Sequence, residues 1–219
     1  MSETTAWPPA IGLTSKIIPR KEAILAVSYS TVVRAPAPLV FDTILRVADY
    51  AAWNTWVPSV VIHRQPSSSG NDLDTSGQDR MSIGCTMQFN VVMNTDRPDN
   101  ITRAPLKVPD ICTPSSPTSY LTPDLLADPT FTADLSKVYR VSWTGNGGMY
   151  GLAPKLERFH EVIVINEKEC EVRTWEMMGG IMARVVKVML EDTLKGKIAL
   201  WCEDLKRHCE KVYAEGSAA

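Results

Sequence analysis

Three histidines, His63, His160 and His208, carry the side chains whose ordinary pKa allows proton transfer near neutral pH. His160 alone stands among other groups that could share such work. It lies in the run Arg158-Phe159-His160-Glu161, and Glu176 occupies a later run of the same alternating kind. In a strand, Arg158 and His160 take one face and Phe159 and Glu161 the other. Both faces mix polar and apolar types, so which one points inward stays open. An inward His160, supported by Glu161, Arg158 or Glu176, could move a proton on a bound molecule. An outward one would be a satisfied sheet histidine. His63 ends a short apolar run beside turn-rich sequence and reads as solvated. His208 falls near the end of a long helical pattern, where the helix dipole favours a cation. No His/Cys/Asp/Glu set has metal-ligand spacing. Neither H-E-x-x-H nor G-x-S-x-G occurs. Asn146-Gly147-Gly148 lacks the strand and helix of a phosphate loop. The expectation is chemistry or binding without a metal or other cofactor.

The aromatics speak for binding. Tyr139, Val141 and Trp143 share one strand face, and Trp175 and Met177 share another, alternating with Thr174 and Glu176. Met87 and Phe89 alternate in an earlier strand. Nine methionines suit a deformable apolar surface that can fit a bulky ligand. With Tyr29 as a polar contact, Met87, Phe89, Tyr139, Trp143, Trp175 and Met177 form the expected lining; an ordinary core is the competing reading. Gly196 interrupts a helical pattern, either as a tolerated surface glycine or to leave room for a ligand.

The elements that must position these groups follow in order. Val27, Tyr29, Thr31 and Val33 alternate at period two, a strand closed by Pro36 and Pro38. Pro38 suits a helix start, and Leu39, Phe41, Ile44, Leu45 and Val47 then form an apolar stripe. Ala51 to Pro58 reads as a short helix or turn. Strands are expected at Val60–Arg64, Met81–Met93, Lys137–Thr144, Phe159–Asn166 and Cys170–Met178, the last two joined by the polar hairpin Asn166 to Glu169. Gln65 to Gly77 is turn chemistry. Gly145 to Gly148 permits a tight turn. Residues 94–136 carry seven of the fifteen prolines. They read as a long irregular insertion, either a lid over a cavity mouth or a mobile excursion, with one short helix capped by Thr122. From Ile181 to about Tyr213 there is no proline, and the apolar spacing predicts one long helix.

Length and composition fit one domain spanning 1–219, with an N-terminal extension at 1–22. The apolar fraction of 44% and charged fraction of 22% are ordinary. A net charge of −2 gives no polyanion footprint, which argues against nucleic acid as a partner. No apolar run is long enough to span a bilayer. The N-terminus does not read as a secretory signal, and five scattered cysteines argue against a disulfide framework. The cytoplasm is the expected compartment.

The segment Arg34-Ala35-Pro36-Ala37-Pro38-Leu39-Val40-Phe41-Asp42, followed by Asp49-Tyr50-Ala51-Ala52-Trp53-Asn54, resembles the opening of the START/SRPBCC superfamily. Ser82 to Val91 and Tyr139 to Gly145 resemble two of its later strands. The resemblance covers roughly Val27 to Val212. It implies a helix-grip α+β fold, a curved antiparallel sheet of about six to seven strands around a long C-terminal helix. It also implies a ligand cavity between sheet and helix. Two function classes follow. One is a biosynthetic enzyme similar to polyketide cyclases and dehydrases, holding a hydrophobic small molecule while it cyclises, dehydrates or isomerises. The other is a non-catalytic carrier or sensor of a lipid, quinone or other apolar metabolite. Oligomeric state is not legible in the sequence.

Overall fold

The computed structural model describes residues 6–66, 79–146 and 154–217. Seven strands form one antiparallel sheet: β1 (Leu25–Val33), β2 (Ser59–Arg64), β3 (Thr86–Val92), β4 (Ile101–Cys112), β5 (Val138–Asn146), β6 (Lys155–Asn166) and β7 (Glu169–Gly179). Their spatial order is β1-β7-β6-β5-β4-β3-β2. Three helices accompany them: α1 (Ala37–Leu45), α2 (Pro123–Leu126) and α3 (Ile181–Ser217). A 3₁₀ segment, Val47–Ala52, links α1 to the bend before β2.

Proline and glycine set the boundaries. Pro36 caps α1 and Pro38 lies in its first turn. Gly180, at φ +85°, turns the chain from β7 into α3; a left-handed conformation of this kind is costly for residues with a Cβ. The Thr122 hydroxyl accepts from the Leu125 N–H at 3.4 Å and starts α2, as its spacing suggested.

Alternation divides the sheet into two faces. On the face covered by α3, β1 contributes Leu25, Val27, Tyr29 and Val33; β3 contributes Met87, Phe89 and Val91; β5 contributes Tyr139, Val141 and Trp143. Ala183, Leu194, Ile198, Trp201, Leu205 and Cys209 of α3 pack onto them. A second core lies on the outer face, where Phe159, Trp175 and Met177 meet Leu13, Ile18, Leu121 and Phe131. The N-terminal segment and residues 113–136 thus form a cover for the outer face.

The insertion expected over 94–136 is only partly irregular. It contains β4, a twelve-residue strand paired with both β3 and β5. Prolines disguised it. Pro109 falls at the register shift between Lys107 and Asp110, a place where a strand tolerates a missing N–H. Residues 113–136 pack on the outer face, away from α3, through Leu121 and Phe131. The turn expected at Gln65–Gly77 falls largely outside the described residues, as do Gly147 and Gly148.

Candidate functional site

β6 decides which groups face α3. Its even positions, Arg158 and His160, point to the helix side, and its odd positions, Glu157, Phe159 and Glu161, point outward. Register pairs Arg158 with Glu176 and His160 with Thr174 of β7. Directly paired residues on neighbouring strands share a face, so Arg158, His160 and Glu176 converge on the α3 side.

The geometry there is tight and polar inside an aromatic wall. His160 is fully buried. Its ring centroid lies 4.4 Å from that of Trp143 and 4.3 Å from that of Trp201. Neither ring nitrogen has a hydrogen-bond partner among the described residues. Arg158 Nε lies 2.7 Å from Glu176 Oε2, an ion pair with side chains 4% and 7% exposed. The two are in ionic contact without the alignment of a hydrogen bond at Nε. The Arg158 guanidinium also lies 4.5 Å from the centre of the Trp56 ring, a cation–π arrangement. Trp53 packs 5.5 Å from Trp201, and Phe89 packs 5.4 Å from Trp143.

Burial governs the charge states. It holds the His160 imidazole well below its usual pKa, and the Arg158 cation pushes the same way. His160 is therefore neutral at pH 7, with one nitrogen free to donate and the other to accept. Burial pushes the Tyr50 hydroxyl and the Cys202 thiol up, while the Arg158 charge opposes both shifts. Arg158 thus exerts its field on several groups of this interior. An unpaired buried polar group costs about 1–3 kcal/mol, so an orphan imidazole beside an ion pair marks a place where a polar ligand atom would be stabilised.

The remaining expected site residues separate into three groups. Met87, Phe89, Tyr139 and Trp143 lie on the α3 side. Tyr29 also faces α3, but its hydroxyl donates to Glu203 at 2.9 Å at the helix margin. Glu161 stands apart from His160. It lies on the outer face, where its carboxylate accepts from Arg140 Nε at 2.7 Å and from the Thr132 hydroxyl at 2.7 Å. That fully buried pair ties residues 113–136 to the sheet. Trp175 and Met177 likewise belong to the outer core and not to the α3 side. Trp175 stacks on Phe159 at 5.0 Å and donates to the Thr14 carbonyl at 3.1 Å. Their phase relative to Glu176 is the reason, since adjacent strand residues oppose each other. Gly196 is exposed, and a Cβ built there would meet nothing within 4 Å. Three residues absent from the expected lining, Trp53, Trp56 and Trp201, complete the wall. Trp201 could have been found from its spacing with Ile198 and Leu205, which places it on the buried stripe of α3. The two bend tryptophans carry no periodic signal.

Comparison with known proteins bears on this architecture. No family model matches the chain. The chain is 26% identical over 207 residues to "Oxopyrrolidines biosynthesis cluster protein O" of Penicillium oxalicum, covering 92% of this chain and 94% of that protein. A hypothetical protein of Helicobacter pylori superposes with a TM-score of 0.62 at 11% identity, covering 95% of this chain and 98% of that one. A START superfamily protein of Mycobacterium smegmatis superposes with a TM-score of 0.53 at 11% identity, covering 85% of this chain and 98% of that one. At such identities the likeness concerns the fold. With an antiparallel sheet ordered β1-β7-β6-β5-β4-β3-β2 and a 37-residue C-terminal helix across one face, the chain has the START/SRPBCC helix-grip fold.

Proposed function

We propose that the chain is a biosynthetic protein that holds a hydrophobic small molecule between the sheet and α3 and assists its cyclisation, dehydration or isomerisation. One observation carries this reading. His160 is fully buried, both its ring nitrogens lack partners among the described residues, and it shares a face with the Arg158–Glu176 pair. A uniformly apolar interior would suit a passive carrier. A neutral imidazole beside a held guanidinium suits proton movement next to a developing oxyanion.

The roles follow from chemistry. His160 accepts a proton from a carbon or hydroxyl of the substrate and returns it elsewhere on the same molecule. Arg158, held in place by Glu176, faces the oxygen on which negative charge develops. Trp143 and Trp201 fix the plane of the reacting part, and positioning of that kind can supply much of a rate enhancement. The curated relative bears a biosynthetic name, which supports a place in the making of a metabolite.

The test replaces the native gene with alleles encoding His160→Gln or Arg158→Met and profiles the metabolites of the cell. Accumulation of an uncyclised, hydrated or unisomerised precursor is expected from both alleles. An unchanged profile with folded variant protein would contradict the proposal.

A further inference from the structure

A hollow of about 640 Å³ opens on the flank of α3, and His160 is not among the residues that line it. The bend before β2 (Trp53, Asn54, Thr55, Pro58), the β3–β4 connection (Val92, Thr95, Pro98) and one side of α3 (Asp204, Arg207, His208, Lys211) enclose it. Its spare polar capacity is one-sided. Asn54 is 2% exposed, and its Oδ1 accepts from the Val57 N–H at 2.7 Å. That bond orients the amide and leaves Nδ2 as a donor without a partner among the described residues. Trp53 is 5% exposed, and its Nε1 is a second buried donor without one. The carboxylate in the lining is already committed. Asp204 accepts from the Thr55 N–H at 3.0 Å, from the Thr55 hydroxyl at 2.5 Å, and from Arg207. Lys211, by contrast, is held only at 3.9 Å by Glu215. Two buried N–H donors and the loosely held Lys211 ammonium are therefore available, while the carboxylate of the lining is engaged. The rest of the wall, from Ala51, Ala52, Pro58, Val92, Pro98 and the Trp53 ring, is apolar.

We infer that this hollow binds an apolar molecule bearing one anionic acceptor group, a carboxylate in the natural case. The anion lies toward Asn54 and Lys211, a buried amide donor without a partner among the described residues and a cation only loosely paired with Glu215. The flat apolar body lies along Trp53 and Val92. This site is separate from the His160 face, from which it is divided by the packed Trp53–Trp201 pair, and it does not depend on the reaction proposed above.

The test uses two fluorescent probes of one ring system with the full-length protein. 8-Anilinonaphthalene-1-sulfonate carries an anion, and N-phenyl-1-naphthylamine does not. Lys211→Glu places an acid on the exposed rim, and Asn54→Asp keeps the Val57 bond while removing the donor. Each variant is checked for folding by circular dichroism. Both are expected to weaken binding of the sulfonate about tenfold and to leave the neutral probe within about twofold. Octanoate should displace the sulfonate from the wild-type protein. Sulfonate affinity unchanged in both variants, equal losses for the two probes, or no displacement by octanoate would each overturn the inference.

Discussion

At the scale of single residues, His160 governs the most specific expectations. Its imidazole is kept neutral by burial and by Arg158. The unfolded chain, with an ordinary histidine, takes up a proton as pH falls below about 6.5. Between the depressed folded pKa and that value the unfolded state binds more protons, so stability rises with pH in this window. Chemical denaturation should therefore show stability falling from pH 7 to pH 5, by up to about 1.4 kcal/mol per pH unit from this one group. His160→Phe should flatten that dependence. A slope unchanged in the variant would mean that His160 is not the buried neutral group described. Trp143 tests the neighbouring wall. Trp143→Ala should cost about 3–5 kcal/mol in urea denaturation, because a large, fully buried ring is removed. Glu161→Gln should act differently from Glu176→Gln. The first loosens the outer cover through Arg140 and Thr132 and should lower the melting temperature. The second leaves the Arg158 guanidinium buried without its counter-ion and should lower both the melting temperature and turnover, whereas Glu161→Gln should leave turnover of the folded fraction intact. A difference scan with both variants separates the two carboxylates.

At the scale of elements, α3 is unevenly committed. Ile198, Trp201, Leu205 and Cys209 are buried, whereas Ile181, Val188 and Met189 near its start are 84%, 87% and 72% exposed. Val188→Ser or Met189→Gln should therefore alter stability by no more than about 0.5 kcal/mol. Ile198→Ala should cost about 2–5 kcal/mol. Equal losses at both ends would show the early turns to be packed. The same elements explain what the sequence could and could not disclose. The opening strand and helix, and α3 itself, were legible because strict periods of two and 3.6 meet proline and glycine boundaries there. β4 was not, although Ala104, Leu106 and Val108 do alternate, because Pro105 and Pro109 speak against a central strand. Pro109 falls at a register shift, and Pro105 lies before the pairing with β5 begins at Lys107, so the conflict is resolved only in three dimensions. Which face of β6 turned inward was equally hidden. Arg158 and Glu161 are both buried ions, one on each side of the sheet, so polarity alone could not rank the faces.

At the scale of the whole molecule, the sheet separates two interiors with different work. The outer one, built on Trp175, Phe159, Phe131 and the Arg140–Glu161 pair, fastens the N-terminal segment and residues 113–136. The one beneath α3 holds an imidazole without a partner among the described residues, an ion pair and the tryptophans Trp53, Trp56, Trp143 and Trp201. We propose that a hydrophobic substrate is placed there, with proton movement at His160. The most direct measurement is turnover of the native precursor by purified His160→Gln, compared with the wild-type protein, with folding of both checked by circular dichroism. Proton transfer by a positioned group contributes about 10²–10⁴-fold to a rate, so a folded His160→Gln should lose activity by about that factor while still binding the precursor. Full turnover by the folded variant would contradict the account.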